Sequence, residues 1–190
     1  MDHPRLEELV EQHTSTLHTY VSYRLERSLR QKEPVSDIVQ SALREVLANP
    51  GRFTYEGPEA FRAYLIRAVE NKIANKRRYW AAQKRSGSKP EPDVDGLHVP
   101  DASVPTPSDV AVNREALGRL AQALDELEEE DRRVLTMRRF AGLSTQVIAV
   151  ELGVSPSTVR NRLARIMTVL SQKLGHGWGL GGHATGDPQA

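Results

Sequence analysis

Between Ser86 and about Ser108 the chain reads SGSKPEPDVDGLHVPDASVPTPS, a stretch with five prolines and little periodicity. Proline removes a backbone donor and turns the residue before it away from helix, so no regular element runs through this text. Its prolines and acids predict an extended, partly flexible linker over residues 86–112. On both sides of it apolar residues recur three and four apart, and no strand-like alternation of useful length appears. The expected fold class is all-α: two small helical domains, over residues 1–85 and 113–174, joined by the flexible linker. The last residues, 175–190, read GHGWGLGGHATGDPQA and are expected to form a disordered Gly-rich tail.

In the first domain Leu6, Leu9, Val10, Leu17, Tyr20, Val21 and Leu25 predict one long amphipathic helix that ends before Pro34. Ser36 is a good N-cap for a second helix, with Ile38, Val39, Ala42, Leu43, Val46 and Leu47 inward and Asp37, Gln40, Ser41, Arg44 and Glu45 outward; Pro50-Gly51 closes it. A third helix, from about Ala60 to Trp80, is expected to bury Phe61, Tyr64, Leu65, Ala68, Val69 and Ile73. Its outer side then carries Arg67, Glu70, Asn71, Ala74, Asn75 and Arg78.

In the second domain GLSTQVIAVELGV places Ser144 as the cap of a short helix and Gly153 at its end. SPSTVRNRLAR follows with the chemistry of a helix start. Helix, tight turn at Gly153-Val154-Ser155, helix is the order of a helix-turn-helix unit. Ala149 and Gly153 are small where two helices are expected to approach closely. At roughly 100° per residue, Val159, Leu163, Ile166, Met167, Leu170 and Leu174 form one greasy stripe. Roughly opposite lie Ser157, Arg160, Asn161, Ala164, Arg165 and Thr168. That composition suits a major groove: arginine forks guanine, asparagine forks adenine, and alanine admits close approach or a thymine methyl. Arg162, to the side, is placed for phosphate.

The formal net charge of +1 hides two basic blocks. Residues 60–89 hold nine Lys/Arg against Glu70 alone, and residues 132–174 hold eight against Glu151 alone. Two separated basic blocks point to a polyanion touched at two places. No cysteine is present, which removes disulfides, thiolate metal sites and cysteine nucleophiles. The six histidines, His3, His13, His18, His98, His176 and His183, show no metal or catalytic spacing with carboxylates, and GWGLGG lacks the strand and helix of a phosphate loop. The acids from Asp125 to Asp131 open a helix, a structural role. No catalytic residue, metal or cofactor is expected. With 38% hydrophobic residues, a mean hydropathy of -0.51 and no apolar run near the roughly 18 residues of a span, no membrane insertion is expected either, and the reading is cytoplasmic.

SDIVQSALREVL with FRAYLIRAVENKIANKRR, and LEEEDRRVLTMRRFAGLSTQVIAVELGVSPSTVRNRLARI, resemble the second and fourth conserved regions of a bacterial RNA polymerase sigma factor of the extracytoplasmic-function (ECF) class, in the sigma-70 family. The resemblance covers most of residues 5–174. It implies a sigma factor that binds core RNA polymerase, directs transcription initiation from promoter DNA at two elements, and helps melt the duplex. It assigns polymerase docking to Asp37, Gln40, Ser41 and Arg44, with Ser41 standing where the family often has an acid. Binding and melting of the downstream element fall to Arg67, Asn71, Lys72, Asn75, Lys76, Arg77, Arg78, Tyr79 and Trp80. Lys84 and Arg85 add cations to that block. The upstream element falls to Arg160, Asn161, Ala164 and Arg165, which join Ser157 and Arg162. Tyr64 stands where the family often has tryptophan, and Leu127 precedes Glu128 where Leu-Pro is common. An anti-sigma factor is a further partner the resemblance allows. The alternative is a helix-turn-helix transcription regulator acting without core polymerase, which accounts for residues 113–174 but not for the basic block that precedes the linker.

Overall fold

The computed structural model describes residues 3–85 and 118–174; the linker expected over 86–112 and the tail expected over 175–190 lie outside the described residues. The first module contains α1 (His3–Arg24), the short α2 (Arg27–Arg30), α3 (Val35–Ala48), a 3-10 turn (Pro50–Arg52) and α4 (Pro58–Arg85). The second contains helical residues 118–125 (α5), α6 (Glu129–Arg139), α7 (Thr145–Leu152) and α8 (Pro156–Leu174). There is no strand among the described residues, and no helix among them is long and apolar enough to cross a membrane.

The first helix is interrupted rather than continuous to Pro34. After Arg24 the chain turns at Leu25 and Glu26, and the Glu26 carbonyl receives the Leu29 and Arg30 amides at 3.1 and 2.9 Å to start α2. The turn brings the Arg30 guanidinium back onto the Ser22 carbonyl at 3.1 Å, satisfying an acceptor that the last turn of α1 leaves open. At α3 the N-cap is Pro34, not Ser36: its carbonyl takes the Asp37 and Ile38 amides at 3.1 and 3.4 Å, and the Ser36 hydroxyl turns to the Asp37 carboxylate at 3.4 Å. Ile38, Val39, Ala42 and Val46 are buried, leaving Asp37, Gln40 and Arg44 exposed.

Helix α4 is longer than the pattern predicts, about 42 Å at 1.5 Å per residue. It starts with Pro58 in its first turn, behind Gly57 at φ +123°, a conformation only glycine adopts at ease. Ala63 and Ile66 are buried alongside Phe61, Leu65, Val69 and Ile73, because α4 is covered on two sides, by α1 and α3 on one and by α7 on the other. Tyr64 is half-buried, stacked on Phe53 with ring centres 4.7 Å apart.

The second module closes around Leu120, Leu124, Val134, Leu135, Met137, Ile148, Val159, Ile166 and Leu170. Arg132, 4% exposed, joins α5 to α6: its Nε donates to the Leu124 carbonyl at 2.8 Å and Nη2 to that of Asp125 at 2.9 Å, capping the end of α5. The two modules lie against each other, α1 on α6 and α4 on α7, with the Tyr23 and Phe140 rings stacked at 4.4 Å.

Candidate nucleic-acid and polymerase interfaces

The helix-turn-helix unit is built as its residues dictate. The Ser144 hydroxyl accepts the Val147 amide at 3.3 Å and opens α7. Gly153 closes it in the left-handed region, φ 66° and ψ 33°, while the Val154 amide returns to the Ala149 carbonyl at 3.0 Å. A side chain placed at Gly153 would meet no atom within 4 Å, so this glycine is needed for its backbone angle and not for close helix approach. Ala149 is the residue buried between the helices. The Ser155 hydroxyl then accepts the Thr158 amide at 3.1 Å and starts α8 behind Pro156.

Along α8, Val159, Ile166 and Leu170 are buried while Ser157, Arg160, Asn161, Ala164, Arg165 and Thr168 are exposed, so the two expected stripes separate. The cations of that face differ in kind. Arg160 makes no ion pair among the described residues. Arg165 presents Nη2 to both oxygens of Asp131, at 2.9 and 2.7 Å, and Arg162 pairs with Glu130 at 2.5 Å. Both acids come from the first turn of α6.

On α4 the face assigned to the downstream element divides in the same way. Asn71, Arg78 and Tyr79 are exposed, Tyr79 to 56%. Asn75 is exposed and accepts from the Arg78 guanidinium. Lys72 pairs with Glu45 at 2.6 Å and Lys76 with Glu33 at 2.8 Å. Glu33 also receives the Trp80 indole N–H at 2.8 Å, and Lys32 lies 4.9 Å over the same ring, which fixes Trp80 against the first module. Tyr79 leans on Trp80 edge-on with its own face open. Arg67 and Arg77 reach across the module boundary, Arg67 to Glu151 of α7 and Arg77 to Glu129 of α6.

Sequence patterning missed the ionic centre between the modules, and it misplaced Glu70, which is 8% exposed rather than on an outer face. Glu70 accepts Arg24 Nε at 2.7 Å, Arg24 Nη2 at 3.0 Å and the Tyr20 hydroxyl at 2.7 Å. Arg133 Nε stands 3.1 Å away, as an ion pair and not along a hydrogen-bond direction. Arg24, 2% exposed, extends the chain of charge to Glu129. Burial opposes the charged form of Arg24, but Glu70, Tyr20 and Glu129 together hold its guanidinium more firmly protonated than usual. Burial likewise works against the Glu129 carboxylate, yet hydrogen bonds from Arg77 and Arg24 prevail and pull its pKa down to about 2. Tyr20 is pushed up, first by burial and then by the Glu70 charge. The available signals were Arg24 falling on the buried stripe of α1 and Glu70 as a lone acid among cations. Arg132 is buried and Arg133 half-buried, so both belong to the interior as much as to a DNA surface, while Arg138 is exposed and donates to the Leu143 carbonyl at 3.1 Å.

Residues 9–85 match the family Sigma-70 region 2, and residues 117–170 match Sigma-70, region 4. The ECF RNA polymerase sigma factor SigL of Mycobacterium tuberculosis is 29% identical over 170 residues, 88% of this chain and 89% of the relative. The ECF RNA polymerase sigma-E factor of Escherichia coli K12 is 26% identical over 147 residues, covering 74% and 73%. In structure the chain is similar to CnrH, solved in complex with the cytosolic domain of CnrY, with a TM-score of 0.59 at 22% identity over 90% of this chain and 88% of that one. The chain belongs to the sigma-70 family as an ECF sigma factor, the class that binds core RNA polymerase and directs promoter-specific transcription. A region 2 match across the helices of the first module also accounts for what a regulator acting without polymerase leaves unexplained.

Proposed function

We propose that the three exposed faces divide the work of initiation among them. The outward face of α3, with Asp37, Gln40, Ser41 and Arg44, docks on the polymerase core. The face of α4 with Arg67, Asn71, Lys72, Asn75, Lys76, Arg77, Arg78 and Tyr79 holds and melts the downstream element, where cations retain the displaced strand and amide or planar groups capture unstacked bases. Trp80 supports that surface from behind. On α8, Arg160 and Asn161 read base edges, Ala164 allows close approach, and Ser157, Arg162 and Arg165 anchor the phosphates around them. The polymerase does the chemistry; this chain contributes recognition and works in the cytoplasm beside the chromosome. The domains run over 1–85 and 113–174 with the linker between them.

The observation that carries this reading is the face of α8: an exposed run of hydrogen-bonding side chains, set by a capped turn, in a chain whose other module exposes asparagines and cations on α4. The complex of CnrH with the cytosolic domain of CnrY supports a protein partner for this chain as well, an anti-sigma factor. In vitro transcription with purified core polymerase on genomic DNA, followed by mapping of start sites, tests the whole assignment. Sequence-directed initiation that depends on this chain is the expected result; transcription indifferent to it would overturn the reading.

A further inference from the structure

We infer that Glu33, a buried acid between α2 and α3, is a positioning residue for strand capture: its one carboxylate holds Lys76 and Trp80 of α4 in place, and through Trp80 it keeps the open face of Tyr79 ready for an unstacked base. This inference rests on the assignment of α4 to the downstream element.

The geometry begins in the backbone. After α2 the Lys32 and Glu33 amides both donate to the Leu29 carbonyl, at 3.0 and 2.9 Å, and Leu29 is itself buried in the core. Pro34 follows at once and caps α3 with its own carbonyl. The Glu33 side chain therefore leaves a backbone that is fixed on both sides. Its Oε1 accepts the Trp80 indole N–H at 2.8 Å, and its Oε2 pairs with Lys76 Nζ at 2.8 Å. Lys76 and Trp80 are four residues apart, neighbours on one side of α4. Lys32 completes the seat, with its ammonium 4.9 Å over the indole ring.

A carboxylate taken out of water is costly unless its charge and both oxygens are met. Glu33 is met on both oxygens, and its side chain is 7% exposed. The Glu45–Lys72 pair is the contrast: the Glu45 side chain is 50% exposed, so that pair is a solvated contact of modest worth. Of these two lysines of α4, Lys76 is the one aimed by a fixed acid. An ammonium carries three donors, so two remain for a phosphate on a side chain that is 44% exposed.

Trp80 passes the same constraint on. Its ring stands edge-on to Tyr79, with centres 5.2 Å apart and planes at 79°, an arrangement that favours one orientation of both rings. A ring that is free to rotate loses part of its stacking gain to ordering when a base arrives. The indole hydrogen bond removes that freedom from Trp80, and the edge contact extends the restraint to the exposed Tyr79.

Glu33→Gln and Glu33→Leu separate the two tethers. Glutamine keeps a carbonyl for the indole and drops the charge that holds Lys76; leucine removes both. Each full-length variant is assembled with core polymerase on a promoter mapped for this chain. Closed-complex affinity is read by gel shift at low temperature, and opening by time-resolved permanganate reactivity. Initiation is compared on the duplex and on the same promoter pre-melted by mismatches. Trp178→Phe leaves Trp80 as the sole tryptophan, so acrylamide quenching reports its seat without DNA. Opening on the duplex should slow about threefold in Glu33→Gln and about tenfold in Glu33→Leu, with closed-complex affinity unchanged. Initiation should recover on the pre-melted promoter, and Trp80 should quench more readily in Glu33→Leu. Should Glu33→Leu fold poorly in chemical unfolding, Glu33→Gln with Trp80→Phe takes its place. Unchanged opening overturns the inference, as does an equal loss on duplex and pre-melted promoters, which is loss of structure only. Lys76→Ala and Tyr79→Ala keep the two readings apart. If both open the promoter at the parent rate, the assignment of α4 to melting fails and the inference falls with it; if they slow opening and the Glu33 variants do not, the inference alone fails.

Discussion

Asp131 receives Arg165 Nη2 on both of its oxygens, at 2.9 and 2.7 Å, while its own side chain is 9% exposed at the start of α6. The carboxylate is seated at the positive end of a helix, and it holds the α8 arginine by one nitrogen. Arg160, five residues back, has no such tether among the described residues. Two arginines that look alike in sequence are therefore held differently by the fold.

Arg160→Ala should cost about 1–3 kcal/mol of binding to an upstream-element duplex and relax preference at one base position. Arg165→Ala should weaken all sequences alike and also lower the melting temperature, because Asp131 loses its partner. Anisotropy titrations over a panel of single-base variants, paired with thermal melts, separate the two.

Asn71 is exposed in mid-α4 and acts on unstacked bases in the proposed mechanism. Asn71→Ala should leave duplex binding by the holoenzyme intact and reduce open-complex formation, seen as lost permanganate reactivity at melted thymines. Unchanged footprints would remove Asn71 from the melting surface.

Glu70 is the acceptor for Arg24, Tyr20 and Arg133 in a buried setting. Glu70→Gln leaves the Arg24 charge without its main counterion and should destabilise the fold by about 3–5 kcal/mol in denaturant unfolding. Replacing both partners with apolar groups, as Arg24→Met with Glu70→Leu, should recover much of that loss, since the desolvation cost of both charges then disappears.

Acid should loosen the module boundary. The Glu129 carboxyl is held near about 2, below its ordinary 4.5, so its contribution is fully present above pH 4.5 and fades as pH falls from there toward 2. Denaturation midpoints measured across that window should drop in the parent and drop less in Glu129→Gln.

Gly153 adopts φ 66° with open space around it. Gly153→Ala should cost about 1–2 kcal/mol from backbone strain alone, measured by chemical unfolding, without a packing defect.

Helix content, the Gly153 turn, the Ser144 and Ser155 caps and the exposed face of α8 were legible in the chain's order, because each is set by residues within a turn or two of one another. Periodicity of three and four says which side of a helix is greasy, and for Ile38, Val69 or Ile166 that is enough to place the residue inside. Charge meets charge on a different scale. Arg24 finds Glu70 at a separation of 46 residues and Glu129 at 105, and Arg67 finds Glu151 at 84. Local pattern holds no record of such pairings, so Glu70 reads as a solvated residue, Arg132 as a DNA cation, and α1 as unbroken. Which cations are free for a promoter and which are bound by the protein's own acids emerges only when the helices of both modules are brought face to face, since that packing sets the distances on which electrostatic pairing depends.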